Sequence, residues 1–409
     1  MKTARSPRLT RIKLGRVDRP ARRRLLSGLD WLAIALLLAG GIAVATGLLP
    51  TSDARATVSR IWPLLVFLGA VIVLAELAAQ AEVFDVIATR ITILARGRNV
   101  ALFLLCLGFA AVTTMFLNLD TTAVLLTPVM LATAVRARVP ALPLAMTTVW
   151  LANTASLLLP VSNLTNLLAM NRVQLSPLEF AARMWLPQVA ALLVVAACLW
   201  LFYWRRSPAR YEPPAPLRPR DRRVFVVASA ACGLFIVGIL IGVSIQVTSL
   251  VCAAIVVVAF AIFERSALRW SLLPWRLLVF VTGLFLVVDT VSRHGLSDWM
   301  TALIGTDPGP AGITRAAATG GVLSNVLNNL PVYVAGEAVV PVDHHDQLLG
   351  LLIGTNVGPL ITPWASLATL LWAERCRSAG VEIRWGRFML VGTVTATLVL
   401  AASVGALLI

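Results

Sequence analysis

The stretch "LAMTTVWLANTASLLLPVSNLTNLLAM", residues 144–170, is long enough to cross a membrane but is interrupted in its middle. A transmembrane helix needs about 20 predominantly apolar residues, whereas segment 153–166 contains three Asn, two Thr, two Ser and one Pro. Unpaired backbone groups are costly in hydrocarbon, so irregular chain at membrane depth is tolerated only where protein or water satisfies it. The pattern therefore predicts a broken membrane helix with polar groups gathered at the break.

The composition of the whole chain indicates an all-α polytopic membrane protein. Of its 409 residues, 59% are hydrophobic and only 13% are charged, against about 25% charged in soluble domains. The net charge of +16 comes from arginines in short loops and a basic N-terminus. That distribution is typical of membrane orientation signals and of contact with anionic lipid headgroups. A basic folded face for nucleic acid is not indicated.

The arginine distribution also predicts a domain organisation in the cell inner membrane, with the N-terminus cytoplasmic and the C-terminus outside. The linker "RRSPARYEPPAPLRPRDRR" is rich in Arg and Pro, so it should be cytoplasmic and non-helical. Two polar-centred apolar segments are predicted to be re-entrant helical hairpins. The predicted parts are a basic tail 1–27, a first membrane repeat 28–204 with hairpin 99–135, the linker 205–223, and a second repeat 224–409 with hairpin 312–336.

The two halves of the chain resemble each other when one is shifted along the other. A shift of 203 residues pairs Pro128 with Pro331, Pro160 with Pro363, Asn153 with Asn356, and Asn163 with Ser366. A shift of 213 residues pairs Glu76 with Asp289. The arginine distribution makes the corresponding spans run in opposite directions, which predicts an inverted repeat with two broken helices. This architecture is typical of secondary transporters that bind their substrate near the midplane.

Four polar clusters, two in each half, are the predicted substrate site. They consist of Asn118, Asp120, Thr121, Thr122, Asn153, Thr154, Ser156, Ser162, Asn163, Asn166, Ser324, Asn325, Asn328, Asn329, Asn356, Thr362 and Ser366. Neutral amides and hydroxyls without Lys or Arg suit a neutral polyhydroxy molecule, or a small ion held by carbonyl oxygens. The alternative is that they only join helices. Asp120, the single acid, is a candidate proton carrier or an ionised helix cap.

The sequence gives no sign of catalytic, metal or cofactor chemistry. The five cysteines are not at metal-ligand spacing, and His344 and His345 have no partner motif. No phosphate-binding loop and no HExxH pair occurs in the chain. We therefore expect neither an enzyme nor a cofactor, and ATP-driven transport would need a separate subunit.

Three stretches resemble the ArsB-type arsenite and antimonite efflux permeases of the ion transporter superfamily. They are "LTPV" at 126–129, "NTASLLLPVSNLTN" at 153–166 and the segment 354–372, and the resemblance extends over about residues 60–409. It implies two opposed hairpins whose tips meet the broken helices. It also implies export of arsenite or antimonite as the trivalent hydroxide, coupled to protons, with an ATPase subunit associated in some members.

The chain departs from that family pattern at two places. It has "NLDTT" at 118–122 where members carry Asn-Asp-Gly, and Asn356 and Leu360 where members carry an acid and a lysine. A sodium/proton antiporter or an organic-anion carrier of the same superfamily therefore remains an alternative. A homodimer and an associated ATPase subunit are both left open.

Overall fold

The structure, a computed structural model, describes residues 28–409, and this part of the chain is helical without a β-sheet. The predicted tail 1–27, and the cytoplasmic N-terminus that depends on it, lie outside the described residues. The helices are α1 (Gly28–Ala45), α2 (Thr51–Gln80), α3 (Val83–Leu94), α4 (Asn99–Leu117), α5 (Leu119–Arg136), α6 (Ala141–Thr154), α7 (Leu164–Val173), α8 (Pro177–Trp204), α9 (Arg222–Leu240), α10 (Ile245–Phe263), α11 (Trp275–Val291), α12 (Ser297–Ile304), α13 (Pro310–Ser324), α14 (Asn329–Val339), α15 (His345–Val357), α16 (Leu367–Ser378) and α17 (Trp385–Leu407).

Within residues 28–409, eight helical segments are long and apolar enough to cross a membrane. The prediction of an all-α polytopic membrane protein is confirmed. Helix α2 is the longest of these segments together with that of α11 and α12, and it starts at Thr51. Its first turns carry charged residues that the apolar pattern does not include. Asp53 pairs with Arg293, and Thr57 donates a hydrogen bond to Asp289, so contacts with the α11 region support this polar end.

Helices α4 and α5 form the first hairpin, with its tip at Asn118. Its two outer ends lie at the same end of the helical bundle, beside α3. Arg136 at the end of α5 donates to Thr89 Oγ1 at 3.2 Å. At the start of α4, the Asn99 N–H donates to the Ala209 carbonyl of the linker at 3.1 Å, and Tyr211 of the linker donates to the Thr92 carbonyl. A segment with both ends on one side has the geometry of a re-entrant hairpin.

The second hairpin consists of α13 and α14, and its outer ends are similarly placed against the short helix α12. The Arg315 side chain of α13 donates to the Leu303 carbonyl at 2.8 Å. Beyond α14, the Gln347 amide donates to the Gly305 carbonyl at 2.9 Å. The tip lies between Ser324 and Asn329.

The two broken helices follow the predicted repeat closely. Residues 155–163 separate α6 from α7, and residues 358–366 separate α15 from α16. The second break therefore starts and ends 203 positions after the first. The hairpin tips do not follow that shift, because Asn118 and Asn328 are 210 residues apart. The predicted pairing of Pro128 with Pro331 is therefore wrong. Pro128 lies deep in α5, directly after a π-helical turn. The wider turn makes room for the proline ring and for the missing backbone N–H donor.

Helix pairing around the hairpins is also mirrored between the halves. Helix α1 packs along α11 of the second half, and α10 packs along α2 of the first. Hairpin helix α13 packs so closely on α15 that only glycine fits at position 354. A Cβ added at Gly354 would lie 2.0 Å from the Ala317 carbonyl oxygen. Small residues permit such close helix contacts in membranes.

Candidate functional site

Both hairpin tips and both helix breaks border one small cavity of about 40 Å³. Its apolar lining comes mainly from leucines, together with Phe280 and Val281 of α11. Its polar lining consists of six of the predicted site residues: Asn118, Asp120, Asn163, Asn328, Asn329 and Ser366. Residues that are more than 200 positions apart in the chain thus meet at one place.

Four helices begin at this cavity, and a lining side chain caps each of them. Asn118 Oδ1 accepts from the Asp120 N–H at 2.9 Å, and Asn163 Oδ1 accepts from the Thr165 N–H at 3.3 Å. In the second half, Asn328 Oδ1 accepts from the Leu330 N–H at 3.3 Å, and Ser366 Oγ from the Thr369 N–H at 3.4 Å. Because helix starts carry partial positive charge, the four termini surround the cavity with a weakly positive field.

The two hairpin tips have an unusual backbone at the capping asparagines. Asn118 has φ +81° and ψ 151°, and Asn328 has φ +133° and ψ 154°. Residues other than glycine rarely adopt this combination of backbone dihedral angles. Holding a residue there costs about 1–3 kcal/mol of conformational energy, and such residues concentrate at functional sites. Glycine would adopt the backbone more easily but could not supply the capping amide, which is a physical reason for asparagine here.

Behind the cavity wall, a network of amides joins the two halves. The Asn356 amide of α15 donates to Asn166 Oδ1 at 3.0 Å, and its Oδ1 accepts from Asn163 Nδ2 at 2.8 Å. At the equivalent position of the first half, Asn153 Nδ2 donates to Thr369 Oγ1 of α16 at 3.3 Å. Since Asn153 pairs with Asn356 and Asn166 with Thr369 by the 203-residue shift, the two contacts are mirror counterparts. Such reciprocal contacts indicate approximate twofold symmetry between the halves.

The remaining eleven predicted site residues do not line the cavity. They make hydrogen bonds around it or lie within the adjacent turns: Asn325, for example, accepts from the Thr362 hydroxyl at 2.7 Å, and Ser162 donates to the Ser156 carbonyl at 2.7 Å. These residues are Thr121, Thr122, Asn153, Thr154, Ser156, Ser162, Asn166, Ser324, Asn325, Asn356 and Thr362. Of the seventeen predicted residues, six therefore line the cavity and eleven lie around it.

Asp120 is the acid of the cavity. It occupies the second position of α5, where a negative charge is favourable. The capping role considered for it belongs instead to Asn118, whose amide oxygen caps this helix. No hydrogen bond or ion pair within residues 28–409 engages the Asp120 carboxylate, so it is free to interact with a proton or a bound molecule.

Gln188 of α8 is an important residue that the sequence pattern did not single out. Its buried side chain satisfies the backbone freed by the first break: Oε1 accepts from the Leu157 and Leu158 N–H groups at 2.9 and 3.1 Å, and Nε2 donates to the Thr154 carbonyl at 2.9 Å. The signal available in the sequence was one amide next to Pro187 in an otherwise apolar span.

We expect Gln188→Leu to destabilise the folded protein markedly. Three buried backbone groups would lose their partner, at about 1–3 kcal/mol each. Thermal unfolding of the purified protein in detergent measures the effect, with Leu192→Ala one turn further along α8 as a control for a change on the same helix. An unfolding temperature equal to that of the wild type would show that the break does not depend on Gln188.

Comparison with known proteins identifies relatives over most of the chain. Residues 26–342 match the family CitMHS, described as citrate transporter. The "Arsenical pump membrane protein" of Escherichia coli is 27% identical over 93% of both chains, and that of Yersinia enterocolitica is 28% identical over 90% of this chain and 91% of the relative. A "Putative arsenical pump membrane protein" of Bacillus subtilis is 22% identical over 87% of this chain and 88% of its own.

A solved structure shares the fold. The YdaH transporter of Alcanivorax borkumensis superposes with a TM-score of 0.55, covering 93% of this chain and 96% of that one at 13% identity. The resemblance to arsenite permeases that the motifs predicted is confirmed by the arsenical pump relatives. On the family match and these relatives, the chain belongs to the CitMHS family and is a multi-pass membrane transporter.

Proposed function

We propose that the chain is a secondary transporter that exports trivalent arsenic or antimony as the hydroxide, driven by the proton gradient. Its arsenical pump relatives cover nearly the whole chain, which supports this substrate class. The arginine distribution supports an orientation with the N-terminus in the cytoplasm and the C-terminus outside. An ATPase subunit and a homodimer stay predictions.

The chemistry of the cavity lining is the observation that carries the proposal. Its polar groups are four asparagines, one serine and one aspartate, without Lys, Arg or Cys. Arsenous acid is a neutral trihydroxide, and amides and hydroxyls can both donate to and accept from its three hydroxyl groups. Thiolates would bind trivalent arsenic too tightly for rapid release, and the lining offers none.

The size of the cavity supports a small solute. A volume of about 40 Å³ accommodates about three water molecules, at about 10–15 Å³ for each. Arsenous acid has four non-hydrogen atoms and is close to this size. Citrate, with thirteen such atoms, would require the hairpins and broken helices to separate.

Uptake of arsenite into everted membrane vesicles tests the proposal. Vesicles containing the protein should accumulate arsenite when a proton gradient is imposed, and an uncoupling ionophore should abolish accumulation. Antimonite should compete with arsenite. Vesicles that show no arsenic uptake, with sodium-dependent proton movement instead, would contradict the proposal and favour a sodium/proton antiporter.

Two observations favour an organic-anion carrier as the second candidate. The family match is described as citrate transporter, and four helix starts surround the cavity. Helix N-termini bind carboxylates readily. Uptake of labelled citrate by the same vesicles decides between the two: citrate transport without arsenite transport would favour this candidate.

A further inference from the structure

Helix α14 carries a stripe of buried polar side chains that leads away from the cavity. Asn329, Tyr333 and Glu337 are spaced four residues apart, so they lie on one face of the helix. Their exposed fractions are 7%, 0% and 4%. Asn329 lines the cavity, and Glu337 lies about 12 Å further along the helix axis, at 1.5 Å for each residue.

Charged groups from three other helices surround Glu337. Arg60 of α2 places Nη2 3.7 Å from Glu337 Oε2, with the arginine side chain 51% exposed and the glutamate side chain 5% exposed. Arg172 of α7 and Asp289 of α11 also act electrostatically on this carboxylate. The pair with Arg60 joins the second hairpin to α2.

Within the described residues 28–409, three buried polar atoms of this cluster have no hydrogen-bond partner: Glu337 Oε2, the Tyr333 hydroxyl oxygen and Arg172 Nε. The contact of 3.7 Å between Glu337 and Arg60 is an ion pair and too long for a hydrogen bond. Buried polar groups are usually satisfied, and a purely structural ion pair requires good geometry to offset its desolvation. Three such atoms close together favour a proton-binding site over a purely structural ion pair.

An open pocket lies next to this cluster and shares Asp289 with it. Asp53, Thr57, Asp289 and Arg293 line a pocket of about 300 Å³. Thr57 belongs to the same helix as Arg60, and Asp289 acts on Glu337. The arginine distribution predicts this end of α2 to face the outside, the side from which protons enter the cell.

We propose that Glu337 is the coupling-proton site of the transporter, an inference that rests on the proposed proton-driven function. As a carboxylate it holds Arg60 and ties the second hairpin to α2. When it binds a proton from the outer pocket, the carboxyl group becomes neutral and the attraction to Arg60 is lost. The second hairpin is then free to move relative to α2, and release of the proton on the other side restores the pair.

The variants Glu337→Gln and Asp343→Asn test this site in everted vesicles. Glutamine mimics the protonated carboxyl group, whereas Asp343 is an acid with an 86% exposed side chain in the loop that follows α14. We expect E337Q to keep exchange of labelled for unlabelled arsenite and to lose gradient-driven accumulation, with a rate that depends less on acid pH than that of the wild type. D343N should behave as the wild type. Gradient-driven accumulation by E337Q with the wild-type pH profile would overturn the inference.

A spectroscopic measurement separates this inference from the proposed substrate. Infrared difference spectra of the purified protein between acidic and alkaline pH should show the C=O band of a protonated carboxyl group. We expect the component of this band that comes from the buried Glu337 carboxyl group to be lost in E337Q and retained in Glu337→Asp and in D343N, whether or not arsenite is transported. An unchanged band in E337Q would assign the titrating carboxyl group elsewhere and overturn the inference. Absence of arsenite transport by the wild-type protein, with the carboxyl band behaving as expected, would instead overturn the proposed function and leave this inference standing.

Discussion

Replacement of Asn163 by leucine is expected to abolish arsenite transport while the protein still inserts into the membrane. The change removes a cavity-lining amide, the cap of α7 and the hydrogen bond to Asn356 Oδ1 at 2.8 Å. A lost cap costs about 1 kcal/mol, and the lost hydrogen bond adds about 1–3 kcal/mol. If this total of about 2–4 kcal/mol is lost from the substrate-binding state, transport should decrease by about 30- to 700-fold, since 1.4 kcal/mol corresponds to a factor of ten.

The matched control is Asn171→Leu, which makes the same change on the exposed side of the same helix. Vesicle uptake of arsenite, normalised to the amount of protein in the membrane, measures both variants. We expect normal amounts of both proteins and a loss of uptake for Asn163→Leu alone. Transport by Asn163→Leu at the wild-type rate would contradict a binding role, and loss of the protein from the membrane would favour a role in joining helices.

Replacement of Asp120 by asparagine is expected to change the pH dependence of transport. Asp120 is the cavity's acid, and its carboxylate has no partner within residues 28–409. Asparagine preserves size and hydrogen bonding but cannot bind or release a proton. Because Asn118 caps α5 through the backbone N–H of residue 120, the hairpin should fold normally in this variant.

Arsenite uptake measured across a series of pH values tests this expectation. We expect the wild-type rate to vary with pH and the variant's rate to be much less dependent on it. Asp298→Asn, a change of an acid on α12 outside the cavity lining, is the control. A pH profile identical to that of the wild type would exclude a proton-carrying role for Asp120.

The sequence predicted the parts of this site whose signals are local. Rare Asn, Ser and Pro residues within apolar tracts indicated the two broken helices, and the breaks have the predicted 203-residue spacing. Asparagines at 118 and 328 were candidates for the same reason. A hairpin tip, however, is fixed by where the chain reverses, so the prolines at 128 and 331 gave the wrong correspondence between the tips.

Contacts across the fold could not be predicted from one sequence. Asn356 and Asn166 are distant in the chain, and only packing of the two halves brings their amides within 3.0 Å. Gln188 was missed because one amide in an apolar span has no periodic pattern, although it satisfies three backbone groups of the break. Glu337 was missed because its partner Arg60 lies on a different helix in the other half.

The mirrored contacts bear on how the two halves are related. Asn153 with Thr369, and Asn356 with Asn166, are reciprocal pairs, as expected for a twofold axis between the repeats. Whether that axis lies in the membrane plane depends on the direction of each half, which the arginine distribution predicts. The inverted arrangement therefore stays a prediction.

Anomalous diffraction at the arsenic absorption edge, from crystals of the protein soaked in arsenite, locates the substrate site in the fold. We expect one strong peak in the cavity bordered by Asn118, Asn163, Asn328 and Ser366, and its loss in Asn163→Leu. A peak at a cysteine such as Cys232, or at the outer pocket beside Asp289, with an empty central cavity, would contradict it.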